Sequence, residues 1–336
     1  MSHVSYVNQV SKLAKFSLSA LAAGAVIAVT ASAALAQDGY PKQPIKIIVP
    51  FTAGSATDII ARALGEGMRK ELGQPIIIEN KPGAGGTLGA ALVAAAPADG
   101  YTLLVHSAGH VANAALYPAL RYDPIKDFKP LAMLASVPNV MVVAPSSGFT
   151  DAASLVKKAK AEPGKLTYAS AGNGSATHMN AEKFRLAAGI DAVHAPYRGT
   201  PEAITDVIAG QVQWFFAPIT SAIPMIKDKK LQALAVGSPQ RAAALPDVPT
   251  TLEAGYPNSD YDFWIGLFAP GKLPPAVAEQ ITKATEAALK SEAVKARYAA
   301  LGANFPHVAP AQFDAFVLSE SAAAAKLVSS AKITQN

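Results

Sequence analysis

The chain contains no cysteine. That excludes disulfides, thiol nucleophiles, cysteine-ligated metals and a lipid-modified N-terminal cysteine. A chain of this length buries enough apolar surface to fold without disulfides. Charged residues are only 16% of the sequence, and the net charge of +5 is mild. Basic residues are scattered, with short pairs such as Lys157-Lys158 and no basic stripe interleaved with aromatics, which argues against nucleic acid as a partner. No Arg-Arg pair marks a twin-arginine export route. No G-x-S-x-G elbow is present, and Lys81–Gly89 satisfies neither G-x-G-x-x-G nor a Gly-Lys-Ser/Thr ending. That segment reads instead as a tight strand-to-helix loop beside the cleft. His106 and His110 are four apart, but no Glu lies between them and no third ligand follows, so no metal site is expected. Acids are dispersed, and no catalytic pair stands out. The expectation is a protein without cofactor or metal that is not an enzyme.

The N-terminus carries Lys12 and Lys15 and no acid, then an apolar run from Phe16 to about Val29. The small-x-small sites Ala31-Ser32-Ala33 and Ala34-Leu35-Ala36 follow. This order predicts a cleaved secretory signal over residues 1–36, cut after Ala36, and hence a periplasmic protein. An uncleaved anchor would want about 20 strongly apolar residues, and this core is short and rich in alanine. Removing the two lysines lowers the net charge from +5 to +3.

The remaining 300 residues fit two domains. Pro44–Val49, Gln74–Ile78 and Tyr101–Val105 read as strands. Asp58–Leu72 and Thr87–Ala96 between them read as helices. This alternation predicts a parallel sheet covered by helices, with right-handed connections. A second α/β block starts after Val140–Val143, and the Pro-rich tract Leu245–Thr250 ends it. A long apolar strand, Phe263–Phe268, then precedes helical pattern from Pro275 to Lys332. Those late helices need a sheet to cover, and the first block lacks them. The expected fold is therefore α/β, with two Rossmann-like lobes, a hinge and an interlobe cleft. Residues 37–143 and 260–336 form lobe 1 and residues 144–259 form lobe 2.

Ligands of open α/β sheets bind beyond the carboxyl ends of the strands. Three loops there share one chemistry. In Pro50–Asp58, Gly54, Ser55, Thr57 and Asp58 are candidates, and Ser55 with Asp58 matches a capping box. In Ala169–His178 the candidates are Ala171, Gly172, Asn173, Gly174, Ser175 and Thr177, the glycines letting N–H groups converge. In Pro196–Glu202 they are Arg198, the one cation, and Thr200, placed to cap a helix starting at Pro201. Ser107, two residues beyond the third strand, and Ala217 complete the set. Each loop ends at a helix N-terminus, which favours an anion by about 0.3–1 kcal/mol, or up to about 2 when partly buried. The same hydroxyls also serve simply as helix caps, and Arg198 can equally lie solvated beside Glu202. His178 and His194 read as surface or core residues. Strand alternation can turn Trp214, Phe216 or Trp264 toward the cleft as an apolar wall.

The chain resembles the extracytoplasmic solute receptors of tripartite tricarboxylate transporters, the Bug family. The matching segments include Tyr40–Phe51, Gly54–Asp58, Asn80–Gly86, Asp99–Leu103, Tyr122–Phe128 and Pro163–Tyr168. Pro196–Gly199, Gly210–Val212, Leu245–Thr250 and Gly266–Pro270 follow in the same order. The resemblance implies a type II periplasmic-binding-protein fold closing on a carboxylate held by the loops at Gly54 and Gly172, partly through N–H groups and water. It also implies delivery to integral-membrane permease subunits driven by an ion gradient. Three positions depart from the family pattern: Ser55 where Gly is common, and Gln213 and Ala217 where acids are common. Loss of acid beside the cleft suits a more anionic or more apolar ligand than an amino-dicarboxylate. The expected ligand is a small organic acid, di-, tri- or aromatic, bound by a monomer. A ligand-sensing module signalling to a membrane partner would share this fold and this binding physics. An enzyme acting on a small acid would need a converging catalytic set.

Overall fold

The computed structural model describes residues 39–334. The expected signal peptide lies outside them. No helix among the described residues is long and apolar enough to cross a membrane.

The first part of the chain runs β1 (Ile45–Val49), α1 (Ala56–Leu72), β2 (Ile76–Asn80), α2 (Thr87–Ala94), β3 (Thr102–Ser107), α3 (Gly109–Leu116) and β4 (Phe128–Ser136). The second runs β5 (Asn139–Val143), α4 (Ala152–Ala161), β6 (Thr167–Ser170), α5 (Ala176–Ala188), β7 (Val193–Pro196), α6 (Thr200–Ile208), β8 (Trp214–Pro218), α7 (Ile219–Lys227) and β9 (Gln232–Val236). The chain finishes with β10 (Trp264–Pro270), α8 (Pro275–Lys290), α9 (Glu292–Leu301) and α10 (Pro310–Ala331).

Two five-stranded sheets result, ordered β2-β1-β3-β10-β4 and β7-β6-β8-β5-β9. Each is parallel except for one strand, β10 in the first and β5 in the second, which is antiparallel to both neighbours. In each sheet that strand directly follows a passage from the other sheet. The two sheets thus repeat one topology, although the sequence carries no fixed-period repeat. The loop β1–α1 of one is the counterpart of β6–α5 in the other.

Burial follows the expected periodicities. On α1, Ile60, Leu64 and Met68 are fully buried, and Gly73 stops the helix in a left-handed conformation. The late helices cover the first sheet: α8 packs on α1 and β4, and α10 on β4 and α3. α10 also packs on α5 of the second block.

Several expectations differ from the structure. β5, expected to close lobe 1 at residue 143, pairs with β8 and β9 in the second sheet. The chain therefore changes sheets between Ser136 and Asn139, where Val137-Pro138 interrupts pairing. The segment around His110 is helical despite its opening glycine, because α3 buries Val111, Ala112 and Leu116. α7 carries Pro224 inside it, a residue that weighs against helix in any sequence reading.

Candidate functional site

The β1–α1 loop turns at Gly54, whose φ of 84° lies in the left-handed region. Asp58, buried in the first turn of α1, holds this loop from inside. Its carboxylate accepts from Gly54 N–H at 2.9 Å, from the Asn80 amide at 2.9 Å and from Arg62 Nε at 3.0 Å. Burial pushes its pKa up, but the bonds from Arg62, Gly54 and Asn80 outweigh burial and hold it below the usual carboxylate range. Both oxygens are occupied by groups of this loop and its neighbours, so Asp58 shapes the loop from within.

The expected capping box is absent. Ser55 is the N-cap of α1, but its side chain makes no cap hydrogen bond. Its hydroxyl instead accepts from Thr200 N–H, at 3.3 Å, in the other lobe. Thr200 in turn is the first helical residue of α6, with Gly199 as its N-cap; the structure corrects the expected role of Thr200 as cap.

In the β6–α5 loop the N–H groups do not converge on an open point, as the glycine spacing suggested. Ala171 N–H donates to Thr177 Oγ1 (2.9 Å), Gly172 N–H to Ser170 Oγ (3.0 Å) and Gly174 N–H to His178 Nδ1 (3.1 Å). Ser175 N-caps α5, accepting from His178 N–H at 3.3 Å. Its φ and ψ, −62° and 157°, nearly repeat those of Ser55, −69° and 158°. The Ser175 and Thr177 hydroxyls also meet, at 3.0 Å, whereas the first-turn N–H groups of α1 have no side-chain cap.

These helix starts meet. A small space of about 10 Å³ is lined by Ser55, Ala56 and Thr57 of α1, Ser175, Ala176 and Thr177 of α5, and Thr200 of α6. Ser107, Ala171, Phe51 and Phe263 complete its wall. No charged side chain is in this lining. Thr57 is buried, and its hydroxyl has no hydrogen-bond partner among the described residues, a costly state unless something else satisfies it. The volume is about what one water needs, so a larger guest enters only when the lobes part.

The lobes are held together around this space. Thr52 donates to Glu202 (3.0 Å), Ser221 to the Gly54 carbonyl (3.1 Å) and Tyr117 to the Asn173 carbonyl (3.0 Å). Gly85, with φ of 61°, sits so close to Asn173 that an added Cβ would overlap its carbonyl oxygen. Beyond lies an outer cavity of about 460 Å³, lined by Gly85, Tyr117, Gly172, Asn173, Tyr197, Arg198 and Glu202 among others. Arg198 is exposed there and forms no ion pair among the described residues. Burial raises the Tyr117 hydroxyl to about 12.

Ser55, Thr57, Ser107, Ala171, Ser175, Thr177 and Thr200 are therefore gathered in one lining, and Gly172, Asn173 and Arg198 in the outer one. Gly54 and Gly174 shape the loops. Ala217 is fully buried in β8 opposite Val140 and lines neither space. Trp214 and Phe216 do not form a cleft wall; both lie in the core beneath α5 with Phe184 and Tyr168. Trp264 also turns inward, against Phe313 and Phe316, donating to Glu320 at 2.9 Å. The aromatic side chains lining the inner space are Phe51, from the candidate loop Pro50–Asp58, and Phe263, which the sequence pattern places only at the start of a core strand. His106 and His110 are buried against Phe51, Tyr122 and Phe268. No group of metal-binding side chains occurs among the described residues.

The profile of a family described as Tripartite tricarboxylate transporter family receptor matches residues 60–332. Three solved structures show how far the likeness extends. The periplasmic binding protein BugD is 33% identical, with a TM-score of 0.83 over 88% of this chain and 100% of that one. MatC from Rhodopseudomonas palustris, solved with bound malate, is 34% identical, with a TM-score of 0.82 over 86% and 100%. A second R. palustris protein, solved with adipate, is 30% identical, with a TM-score of 0.84 over 88% and 99%.

Proposed function

This chain belongs to the tripartite tricarboxylate transporter receptor family, and from that premise we propose that it captures a small aliphatic dicarboxylate between its lobes. It then delivers the acid, unchanged, to integral-membrane permease subunits. The observation that carries the reading is the meeting of three helix N-termini around Thr57, whose buried hydroxyl lacks a partner, in a lining without charge. Partly buried helix starts favour an anion by up to about 2 kcal/mol each. Neutral donors hold a carboxylate without a buried counter-charge to desolvate. Residues Gly54, Ser55, Thr57, Ser107, Ala171, Ser175, Thr177 and Thr200 form or shape the inner site. Arg198, at the outer cavity with Gly172 and Asn173, receives a second carboxylate. The malate and adipate bound by the two related proteins are both dicarboxylates, in line with two such points. Trp214 and Phe216 lie in the core and give no support to an aromatic acid; the aromatic side chains at the inner space are Phe51 and Phe263.

The receptor works as a periplasmic monomer, released by cleavage after Ala36. Its lobes hinge at the passages near Val137-Pro138 and residues 257–263, so that lobe 1 ends near residue 137 and resumes near 260.

A thermal-shift panel of malate, adipate, citrate, benzoate and the diamide of malate tests the ligand class. A ligand at about a hundred times its dissociation constant stabilises by about 2.7 kcal/mol. The expected result is a raised melting temperature with diacids and none with the diamide. Stabilisation by the diamide alone would overturn the carboxylate reading, and chemical change of a bound acid on incubation would overturn delivery without turnover.

A further inference from the structure

Behind the β6–α5 loop lie two stacked imidazoles, His178 on α5 and His194 on β7. Their centroids are 3.8 Å apart and their planes within 6°. Tyr168 continues the stack on His194 at 5.0 Å, and Trp214 packs on Tyr168. The stack reaches the loop at both glycines. His178 Nδ1 accepts the Gly174 N–H at 3.1 Å. His194 Nε2 lies 2.6 Å from Ser170 Oγ, which accepts the Gly172 N–H at 3.0 Å. Both glycines are left-handed, with φ of 114° and 75°, and glycine has wide freedom to leave such a conformation unless restrained. What they restrain matters to the cleft. Ala171, Ser175 and Thr177 line the inner space, and the Asn173 carbonyl receives the Tyr117 hydroxyl from the other lobe.

We infer that His178 is a positioning residue for ligand capture. Its neutral imidazole, accepting from Gly174 and backed by His194, fixes the 171–175 loop so that α5 aims into the cleft and Asn173 meets Tyr117. What the cleft binds rests on the function proposed above; the loop geometry does not.

An imidazole that accepts through Nδ1 carries its proton on Nε2 and is uncharged. The surroundings keep it so. The charged groups beside the stack are Glu182 and Arg185 on α5, with the Tyr168 hydroxyl from β6. Glu182 accepts from that hydroxyl and from Arg185 at 2.9 and 2.8 Å. Ser170 from β6 and Trp214 from β8 are neutral. Burial, and then Arg185, push His178 down to about 3. Burial and then His178 push His194 to about 3 against the pull of Glu182. The restraint therefore persists unchanged across about pH 5 to 8.

The test uses the whole purified protein without ligand, by imidazole nitrogen NMR and amide hydrogen exchange. The expected result is His178 as the uncharged Nε2–H tautomer. His178→Leu should speed Gly174 amide exchange by about tenfold or more. His178→Asn, whose side-chain oxygen can accept the same N–H, should restore most of the protection. With malate as probe, the dissociation constant should rise about tenfold for the Leu variant and less than about threefold for Asn. An Nδ1–H tautomer in the unaltered protein overturns the inference and needs no variant. So does wild-type exchange in the Leu variant, or an Asn variant as loose as Leu. If malate fails to bind the unaltered protein, the reading of the cleft falls, while tautomer and exchange still decide the role of His178.

Discussion

Ser55 of the first lobe accepts a hydrogen bond from the backbone N–H of Thr200 in the second, at 3.3 Å. An N-cap serine ordinarily satisfies a first-turn N–H of its own helix. Here the cap is spent across the cleft, and no side chain caps α1. Joining the lobes thus leaves first-turn donors of α1 without a side-chain partner, at the point where the starts of α5 and α6 also arrive. Under the proposed function, closure and anion affinity would be linked through one hydroxyl.

Thr57→Val separates ligand binding from folding. The hydroxyl is buried and unpartnered, so an isosteric methyl should leave stability unchanged or raise it by up to about 1 kcal/mol. The same change should weaken diacid binding by about 1.5–3 kcal/mol, the worth of a hydrogen bond to a charged group. Urea melts and calorimetry on one preparation check both halves; unaltered affinity would remove Thr57 from the site.

Tyr117→Phe removes the bond to the Asn173 carbonyl that spans the lobes. Weaker binding by about 0.5–1.5 kcal/mol is expected, with little change in the unliganded melting temperature. The loss should appear mainly in the off-rate, measured by stopped flow.

Asp58→Ala should act through stability first. The carboxylate ties Gly54, Asn80 and Arg62 to one loop, and its removal should cost about 2–3 kcal/mol of unfolding free energy. A variant with wild-type stability that no longer bound acid would make Asp58 a direct ligand, against the geometry.

Acid should destabilise the protein from mildly low pH. His106, His110 and His178 are buried and His194 is half-buried, and desolvation pushes each below its ordinary value, the last three to about 3. The unfolded chain therefore takes up protons that the folded chain refuses once pH drops below about 6.5. Each such imidazole contributes up to about 1.4 kcal/mol per pH unit, so stability is full above about pH 6.5 and falls below it. Asp58, whose pKa is lowered in the fold, adds a loss only below about pH 4. Urea midpoints at about pH 7.5, 6 and 5 read the slope, and a flat series would contradict it.

Much of this was legible in the residues. Alternating apolar strands and periodic helices such as Asp58–Leu72 carry the fold class, and glycine–hydroxyl loops ahead of helices point to the strand ends. What escaped depends on tertiary contact. Nothing local says that the Ser55 hydroxyl serves Thr200 and not its own helix, or that the glycine N–H groups are spent on Ser170 and His178. β5 reads as the end of one block because Val140–Val143 is apolar in either sheet; only its pairing with β8 and β9 decides. Trp214 and Phe216 alternate correctly, but alternation cannot say which face looks at the cleft. Phe51 and Phe263 reach the site from loop and passage, where no periodicity exists.

The most direct test of the account is calorimetric titration of the purified protein with malate, adipate and the uncharged diamide of malate. Helix starts and hydroxyls that hold a carboxylate predict one site per chain, binding at least one diacid and rejecting the diamide by about a hundredfold or more, near 2.7 kcal/mol. Equal affinity for diacid and diamide, or no binding of either diacid, would contradict it.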